Sequence, residues 1–200
     1  MQTAFSRTPR SITSSLNSNV YFIKSAFCCS TDKLVNIIEE LLNTNILDKI
    51  IIVPTGLHYS YKSNLISNEH RYNMLKLLIK HNKNIEISTY EFQDTEIHTY
   101  DTLEYYKDNY KKDTIYFICG LDNLSYIDKW YKGNELLKNN KFLVVGRNTN
   151  NSEEILNNLK EYKDNITITN IELNDISSSE IRKNINNKDF IIEKYISNEV

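Results

Sequence analysis

Three consecutive hydroxyl side chains stand close to an arginine in the stretch DISSSEIRKNI, residues 175–185. Ser177 and Glu180 fit the S-x-x-E capping box, which predicts that a helix begins here. The free N–H groups of a helix start, the hydroxyls of Ser177, Ser178 and Ser179 and the guanidinium of Arg182 could together bind a phosphate group. Helix capping alone explains the same residues, so the stretch by itself leaves both interpretations open.

A second group of residues with possible chemistry follows the apolar run TIYFIC. Gly120 would let a ligand approach the backbone closely, and the Asp122 carboxylate could accept hydrogen bonds from ribose hydroxyls. A turn glycine and a helix-capping aspartate are the alternative. Trp130, the only tryptophan, is either a core residue or a surface on which a flat heterocycle stacks. Arg147, after the run KFLVV, either binds phosphate oxygens or is simply solvated.

The spacing of the cysteines and histidines gives little support for disulfide bonds or a metal site. Cys28, Cys29 and Cys119 are too few and too irregular for a disulfide framework, so we expect a reducing, cytoplasmic location. The four histidines lack H-x-x-H or H-E-x-x-H spacing, and the adjacent cysteines lack a C-x-x-C partner. We therefore expect no metal site built from protein side chains.

A regular scaffold must position these residues, and the hydrophobic periodicity predicts one. Helical patterns separate six strand candidates, which lie at 19–23, 49–54, 85–92, 114–119, 141–145 and 166–173. Strands that alternate with helices predict an α/β fold with a doubly wound, mostly parallel sheet, and C-terminal helices follow from about Ser178 and Asp189. In such a sheet, ligands bind beyond the carboxyl ends of the strands.

Length and charge limit the classes of function. The 200 residues suit one domain at 19–200 behind a head at 1–18. The net charge is −2, and residues 1–31 carry Arg7, Arg10 and Lys24 but no acid. The remainder therefore sums to −5 and is a poor binder of nucleic acid. No apolar run approaches the roughly 20 residues that span a bilayer. The Ser/Thr-rich head resembles a transit peptide; a disordered tail, an unnatural start or a shifted reading frame before residue 36 are the alternatives.

Six segments, taken in order, are similar to one enzyme family. They are KIIIVPTG, HRYNMLKLLI, TYDTL, FICGLDNLSYIDKW, KFLVVGRN and DISSSEIR. Over about residues 36–198 the chain resembles the bacterial nicotinate mononucleotide adenylyltransferases of the HxGH nucleotidyltransferase superfamily. The resemblance implies a Rossmann-like nucleotidyltransferase fold and an enzyme of NAD biosynthesis that joins ATP and nicotinate mononucleotide into deamido-NAD and pyrophosphate. It also implies Mg²⁺ that accompanies ATP, direct attack on the α-phosphorus and no covalent enzyme intermediate.

The same resemblance implies roles for individual residues. Gly120 and Asp122 match residues near the adenosine ribose. Trp130 matches a ring that stacks on the pyridine, and Thr99 matches a threonine at the nicotinate end. Lys62 resembles a lysine in the mobile loop after the second strand. The positions that match the ATP side, with the serines and the second arginine at the phosphates, are Arg147, Ser177, Ser178, Ser179 and Arg182.

One stretch, KSAFCCSTDKL, departs from the family pattern. It lies in the register of a glycine-rich turn that ends in a histidine. Lys24 and Ser25 stand at the two glycines, and Leu34 stands at the final histidine. Phe27 is retained, and Thr31 fits the histidine-or-threonine position, so Thr31 is the catalytic candidate that remains. Loss of a preorganised donor of this kind lowers a rate by about two to three orders of magnitude.

Three hypotheses follow from this combination. The chain is an active adenylyltransferase, a catalytically impaired nucleotide-binding relative that keeps the fold, or a structural domain. Lys24 and Lys33 could supply charge in the altered turn, but a lysine is a mobile point charge that would need to be held in place. The sequence leaves open whether the acid or the amide mononucleotide is preferred and whether the protein forms a homo-oligomer.

Overall fold

The structure is a computed structural model that describes residues 18–25, 31–43, 48–60, 65–79, 82–146, 150–169 and 171. In chain order, the strands and helices are β1 (Asn19–Ser25), α1 (Thr31–Asn43), β2 (Lys49–Pro54), α2 (Asn68–Leu78), β3 (Ile85–Ile87), α3 (Thr99–Asn109), β4 (Thr114–Gly120), α4 (Leu121–Leu124), α5 (Gly133–Asn139), β5 (Lys141–Val145), α6 (Asn150–Asn158) and β6 (Ile166–Ile168). Short 3₁₀ turns lie at Tyr90–Phe92, Ile127–Lys129 and Lys160–Asn165.

The six strands form one parallel sheet in the order β3-β2-β1-β4-β5-β6. The predicted α/β class is therefore confirmed, and each of the six strand candidates contributes a strand. Two strands are shorter than predicted, since β3 ends at Ile87 and β6 ends at Ile168. Beyond β3 the hydroxyl of Ser88 accepts a hydrogen bond from the N–H of Tyr90 at 3.0 Å, and the chain enters a 3₁₀ turn.

The strand order reverses next to β1, which pairs with β2 on one side and with β4 on the other. Successive residues of a strand point to opposite faces of the sheet. Phe22 therefore packs in one apolar cluster with Leu103 of α3, while Ile23 packs in another with Leu34 of α1 and Leu75 of α2. Because helices cover both faces, the strands are apolar along almost their whole length, as is typical of a parallel sheet.

Several predictions about the ends of the chain lie outside the described residues. These are the head before Ser18 and the helices expected from about Ser178 and Asp189. The division into a head at 1–18 and a domain at 19–200 stays a prediction. None of the helices in the described part of the chain is long and apolar enough to cross a membrane.

Candidate active site

A cavity of about 240 Å³ lies among the segments that follow β2, β3 and β4. In a parallel sheet, these segments meet beyond the carboxyl ends of the strands. Thr99, the first residue of α3, and Trp130 both line the cavity, although 30 residues separate them in sequence. The structure thus brings together the two residues that were expected to lie at the pyridine end of a mononucleotide.

Trp130 combines a core contact with a place on the cavity wall. Its ring meets Phe117 of β4 edge to face, with centroids 6.3 Å apart and planes at 77°. The preceding 3₁₀ turn buries Ile127 completely, which fixes the backbone that carries the indole. The core contact of this tryptophan is therefore present, and its role as a stacking surface for a heterocycle stays a prediction.

The remaining wall of the cavity is largely aromatic and was not singled out from the sequence. It consists of Tyr59, His98, Tyr126, Lys129, Tyr131 and Leu136. His98 stacks on Tyr131 with centroids 4.4 Å apart, so the start of α3 is joined to the segment before α5. A usable signal was present, since tyrosines flank Trp130 in the stretch SYIDKWY.

Gly120 and Asp122 stand where β4 passes into α4. A Cβ atom at Gly120 would have no neighbour within 4 Å in the described part of the chain, so packing there does not require a glycine. Gly120 itself is the N-cap residue, and no side chain caps this helix, so the interpretation of Asp122 as its cap is wrong. Asp122 is exposed in the first turn instead. Burial raises the pKa of the neighbouring Cys119 thiol to about 12, which keeps it protonated.

Lys24, at the carboxyl end of β1, forms an ion pair that the sequence did not indicate. Its Nζ lies 3.1 Å from Oε1 of Glu91 and 4.7 Å from the centroid of the Tyr59 ring. The two side chains are 11% and 1% exposed. The pair therefore lies largely out of water, close to the cavity wall that Tyr59 forms.

Glu91 is held in this place by residues of α3 and by a close backbone approach. The hydroxyl of Thr102 donates to its Oε1 at 2.6 Å. A Cβ at Gly56 would lie 2.0 Å from the backbone oxygen of Glu91, so only a glycine fits there. Burial raises the pKa of the Glu91 carboxyl, and the opposing effects of Lys24 and Thr102 do not cancel that rise.

The loop that carries Tyr59 is anchored from α2 and from the segment before α3. Arg71 of α2 is fully buried and donates hydrogen bonds to the backbone oxygens of Thr55 and Ile66. Between these two residues, the hydroxyl of Ser60 donates to Glu96 at 2.7 Å. Tyr59 is thus the sequence neighbour of an anchored residue, and its ring lies over Lys24 Nζ and forms part of the cavity wall.

The altered first turn can be followed at two of its positions. Leu34, which stands where the family pattern has its final histidine, is 6% exposed and packs in the apolar cluster of α1 and α2. Its side chain therefore belongs to the core. Thr31 is the first residue of α1, and only its backbone is described, so its catalytic role stays a prediction.

Other predicted site residues lie outside the described part of the chain. They are Lys62, Arg147, Ser177, Ser178, Ser179 and Arg182. Their proposed contacts with the substrates accordingly stay predictions. The candidate site within the described residues consists of the cavity, the turn at Gly120 and the pair formed by Lys24 and Glu91.

Comparison with known proteins assigns this chain to a family. Residues 35–184 match the cytidylyltransferase-like family. The matched range begins one residue after Leu34, so it leaves out the altered turn and includes the whole cavity. The sequence pattern of the family is thus recognisable in this chain without its first turn.

Individual relatives identify a more specific group within this family. A protein of Acholeplasma laidlawii named "probable nicotinate-nucleotide adenylyltransferase" is 35% identical over 162 residues, which cover 76% of this chain and 83% of the relative. The corresponding protein of Caldicellulosiruptor bescii is 38% identical over 150 residues, covering 72% and 75%. In fold, the chain is similar to a solved structure, Plasmodium falciparum nicotinic acid mononucleotide adenylyltransferase complexed with NaAD. The TM-score is 0.77 at 24% identity, and the match covers 91% of this chain and 92% of the other. The chain therefore belongs to the nicotinate-nucleotide adenylyltransferases of the cytidylyltransferase-like family.

Proposed function

We propose that this protein transfers the adenylyl group of ATP to nicotinate mononucleotide, giving deamido-NAD and pyrophosphate. The observation that carries the proposal is the aromatic cavity in which Thr99 and Trp130 meet, in a chain of this family. A flat pyridine ring can stack on the indole, and the aromatic wall keeps water away from the apolar faces of that ring. The helix start at Thr99 offers N–H groups to its carboxylate.

The chemistry of this transfer is a single displacement at phosphorus. An oxygen of the mononucleotide phosphate attacks the α-phosphorus of ATP, the bond from that phosphorus to the bridging oxygen breaks, and its electron pair leaves with pyrophosphate. The attacking oxygen is already ionised, so no base is required. The protein has to hold two polyanions in line and offset their repulsion.

We assign the adenosine side of this reaction to the turn after β4. The backbone at Gly120 is open to close approach, and the exposed Asp122 carboxylate is free of the capping role that would compete with a ribose. Arg147, Ser177, Ser178, Ser179 and Arg182 are the further ATP-side candidates, with Lys62 on the mononucleotide side and Thr31 in the altered turn. Their roles rest on the sequence resemblance.

Mg²⁺ enters the proposal as part of the MgATP substrate, in which it neutralises phosphate charge. The described residues contain no group of three His, Cys, Asp or Glu side chains placed to hold a metal ion. A cytoplasmic location, a lack of nucleic-acid and membrane partners and homo-oligomer formation stay predictions from the sequence.

Pyrophosphate release from MgATP and nicotinate mononucleotide tests the proposal, with deamido-NAD measured by chromatography. Trp130 is the only tryptophan, so its fluorescence reports ligand binding in the same sample. Trp130→Leu should raise the KM for the mononucleotide about tenfold, because stacking of a base on an aromatic ring contributes about 1–3 kcal/mol. Tyr105→Leu is the matched control, since Tyr105 is exposed and does not line the cavity. Absence of pyrophosphate above the no-enzyme background would reject the proposal.

A nucleotide-binding relative without turnover is the second candidate, and the burial of Leu34 favours it. A core leucine cannot donate a hydrogen bond to a transferring phosphate. Fluorescence and calorimetry separate the two candidates, because this relative would bind ATP and mononucleotide and release no pyrophosphate. A protein that binds neither ligand would be the structural domain.

A further inference from the structure

Lys24 ends the strand at which the sheet changes direction. β1 pairs with β2 and β4, and Lys24 lies beside Val53 near the carboxyl ends of these strands. Strand alternation places its side chain on the same face as Val20 and Phe22, which share their cluster with Trp130. Ligands of doubly wound sheets bind at this point, where the two halves of the sheet diverge.

The ammonium of Lys24 is paired with one carboxylate, and an ammonium carries three N–H donors, so a single carboxylate oxygen does not satisfy it. It lies 3.1 Å from Glu91 Oε1, and within the described residues neither Lys24 Nζ nor Glu91 Oε2 makes a hydrogen bond of acceptable geometry. Both atoms are buried. Buried polar groups are nearly always hydrogen bonded, because an unsatisfied one costs about 1–3 kcal/mol. An ammonium in this state is suited to an anionic ligand.

Tyr59 connects this ammonium to the cavity. Its ring lies 4.7 Å from Lys24 Nζ and also forms part of the cavity wall. A mononucleotide whose pyridine enters the cavity against Trp130 must extend its phosphate out of it toward ATP. The turn proposed for adenosine follows β4, which is the neighbour of β1. The carboxyl end of β1 lies between those of β2 and β4, so it borders the space between the cavity and this turn.

We propose that Lys24 binds the phosphate of the mononucleotide and that Glu91 and Tyr59 position its ammonium. This inference rests on the proposed function. A free lysine would lose much conformational entropy on binding, but an ammonium held between a buried carboxylate and an aromatic ring is already ordered. The side chain at the first glycine position of the altered turn thereby supplies charge that the lost histidine no longer can.

Lys24→Met tests this assignment, because it keeps the length of the side chain and removes the charge. The dissociation constant of nicotinate mononucleotide, followed by Trp130 fluorescence, should rise about 10- to 100-fold, the cost of one hydrogen bond to a charged group. The KM for ATP, measured from pyrophosphate release, should stay within about threefold. An unchanged affinity for the mononucleotide, or an equal rise for both substrates, would overturn the inference.

Lys49→Met is the matched control, since Lys49 also pairs with a glutamate and a tyrosine ring but stands at the amino end of β2. It should leave the affinity for the mononucleotide unchanged.

A second variant covers the case in which Lys24→Met fails to fold. Lys24→Met combined with Glu91→Leu removes both charges, and such apolar replacements of buried ion pairs are often neutral for stability. The double variant should show the same loss of mononucleotide affinity, and wild-type affinity in it would overturn the inference.

Failure of the inference is distinguishable from failure of the proposed function. A wild-type protein that neither releases pyrophosphate nor changes its fluorescence with the mononucleotide rejects both. A wild-type protein that turns over, together with a Lys24→Met variant that binds the mononucleotide equally well, rejects the role of Lys24 alone.

Discussion

Two lysine–glutamate pairs, each beside a tyrosine ring, stand at opposite ends of neighbouring strands. At the amino end of β2, Lys49 Nζ lies 2.5 Å from Glu86 and donates a hydrogen bond to the Tyr110 hydroxyl at 2.7 Å. The side chains of Lys49 and Glu86 are 32% and 48% exposed. At the carboxyl end of β1, Lys24 lies 3.1 Å from Glu91, and that pair is 11% and 1% exposed. The pair with more burial is the one whose hydrogen bonds are incomplete.

The two pairs also differ in how their surroundings shift the pKa values of their charged groups. Burial lowers the pKa of Lys49, but Glu86 and Tyr110 raise it by more, so this pair favours its own charges. Burial raises the pKa of Glu91 in spite of Lys24, so the second pair holds its charges at a cost in stability. This pair stands at the carboxyl end of the sheet, where ligands of doubly wound sheets bind.

The largest expected effect comes from removing one carboxylate from each pair. Glu91→Leu leaves the Lys24 ammonium buried without its counter-charge and should lower the free energy of unfolding by about 3–5 kcal/mol. Glu86→Leu leaves Lys49 partly exposed to water and should cost about 0–1 kcal/mol. Urea unfolding of both variants at neutral pH measures the two values. Equal costs would mean that the two pairs do not differ in kind.

Stability as a function of pH should separate the pairs in direction. The raised pKa of Glu91 means that the folded state binds more protons than the unfolded state between the ordinary value of 4.5 and the folded value. Stability therefore falls as pH rises through this window, and Glu91→Gln should lack that fall. The wild-type free energy of unfolding, relative to Glu91→Gln, should accordingly decrease with rising pH.

Lys49 should act at the alkaline end of the same measurement. Its raised pKa contributes stability that is fully present below the ordinary value of 10.5 and is lost as pH rises through the folded value. Urea unfolding of wild type and Lys49→Met across this range should show the loss in wild type alone. At the acid end, a free energy of unfolding that rises with pH in wild type relative to Glu91→Gln would contradict the direction given for the pKa of Glu91.

The sequence was sufficient for the sheet but not for the pair at its carboxyl end. Apolar runs between helical patterns predicted each strand of the described residues, because burial of both sheet faces leaves nearly continuous apolar runs. The family resemblance placed Thr99 and Trp130 at one substrate. Glu91 was concealed within the run IEISTYEF, whose alternation predicts a strand through residue 92, and the backbone turns at Ser88 instead. The contact with Lys24 depends on tertiary structure, so no local pattern indicates it.

The smallest expected effect is the coupling energy between Lys49 and Glu86. A double-mutant cycle with Lys49→Met and Glu86→Leu should give less than about 1 kcal/mol and should weaken in 1 M NaCl, where the Debye length is about 3 Å. The cycle of Lys24→Met and Glu91→Leu should give a larger coupling that salt changes little, since buried charges are poorly screened. If both couplings were small and equally sensitive to salt, the pair of Lys24 and Glu91 would behave like the exposed pair of Lys49 and Glu86, and Glu91 could not hold the Lys24 ammonium in place for a phosphate.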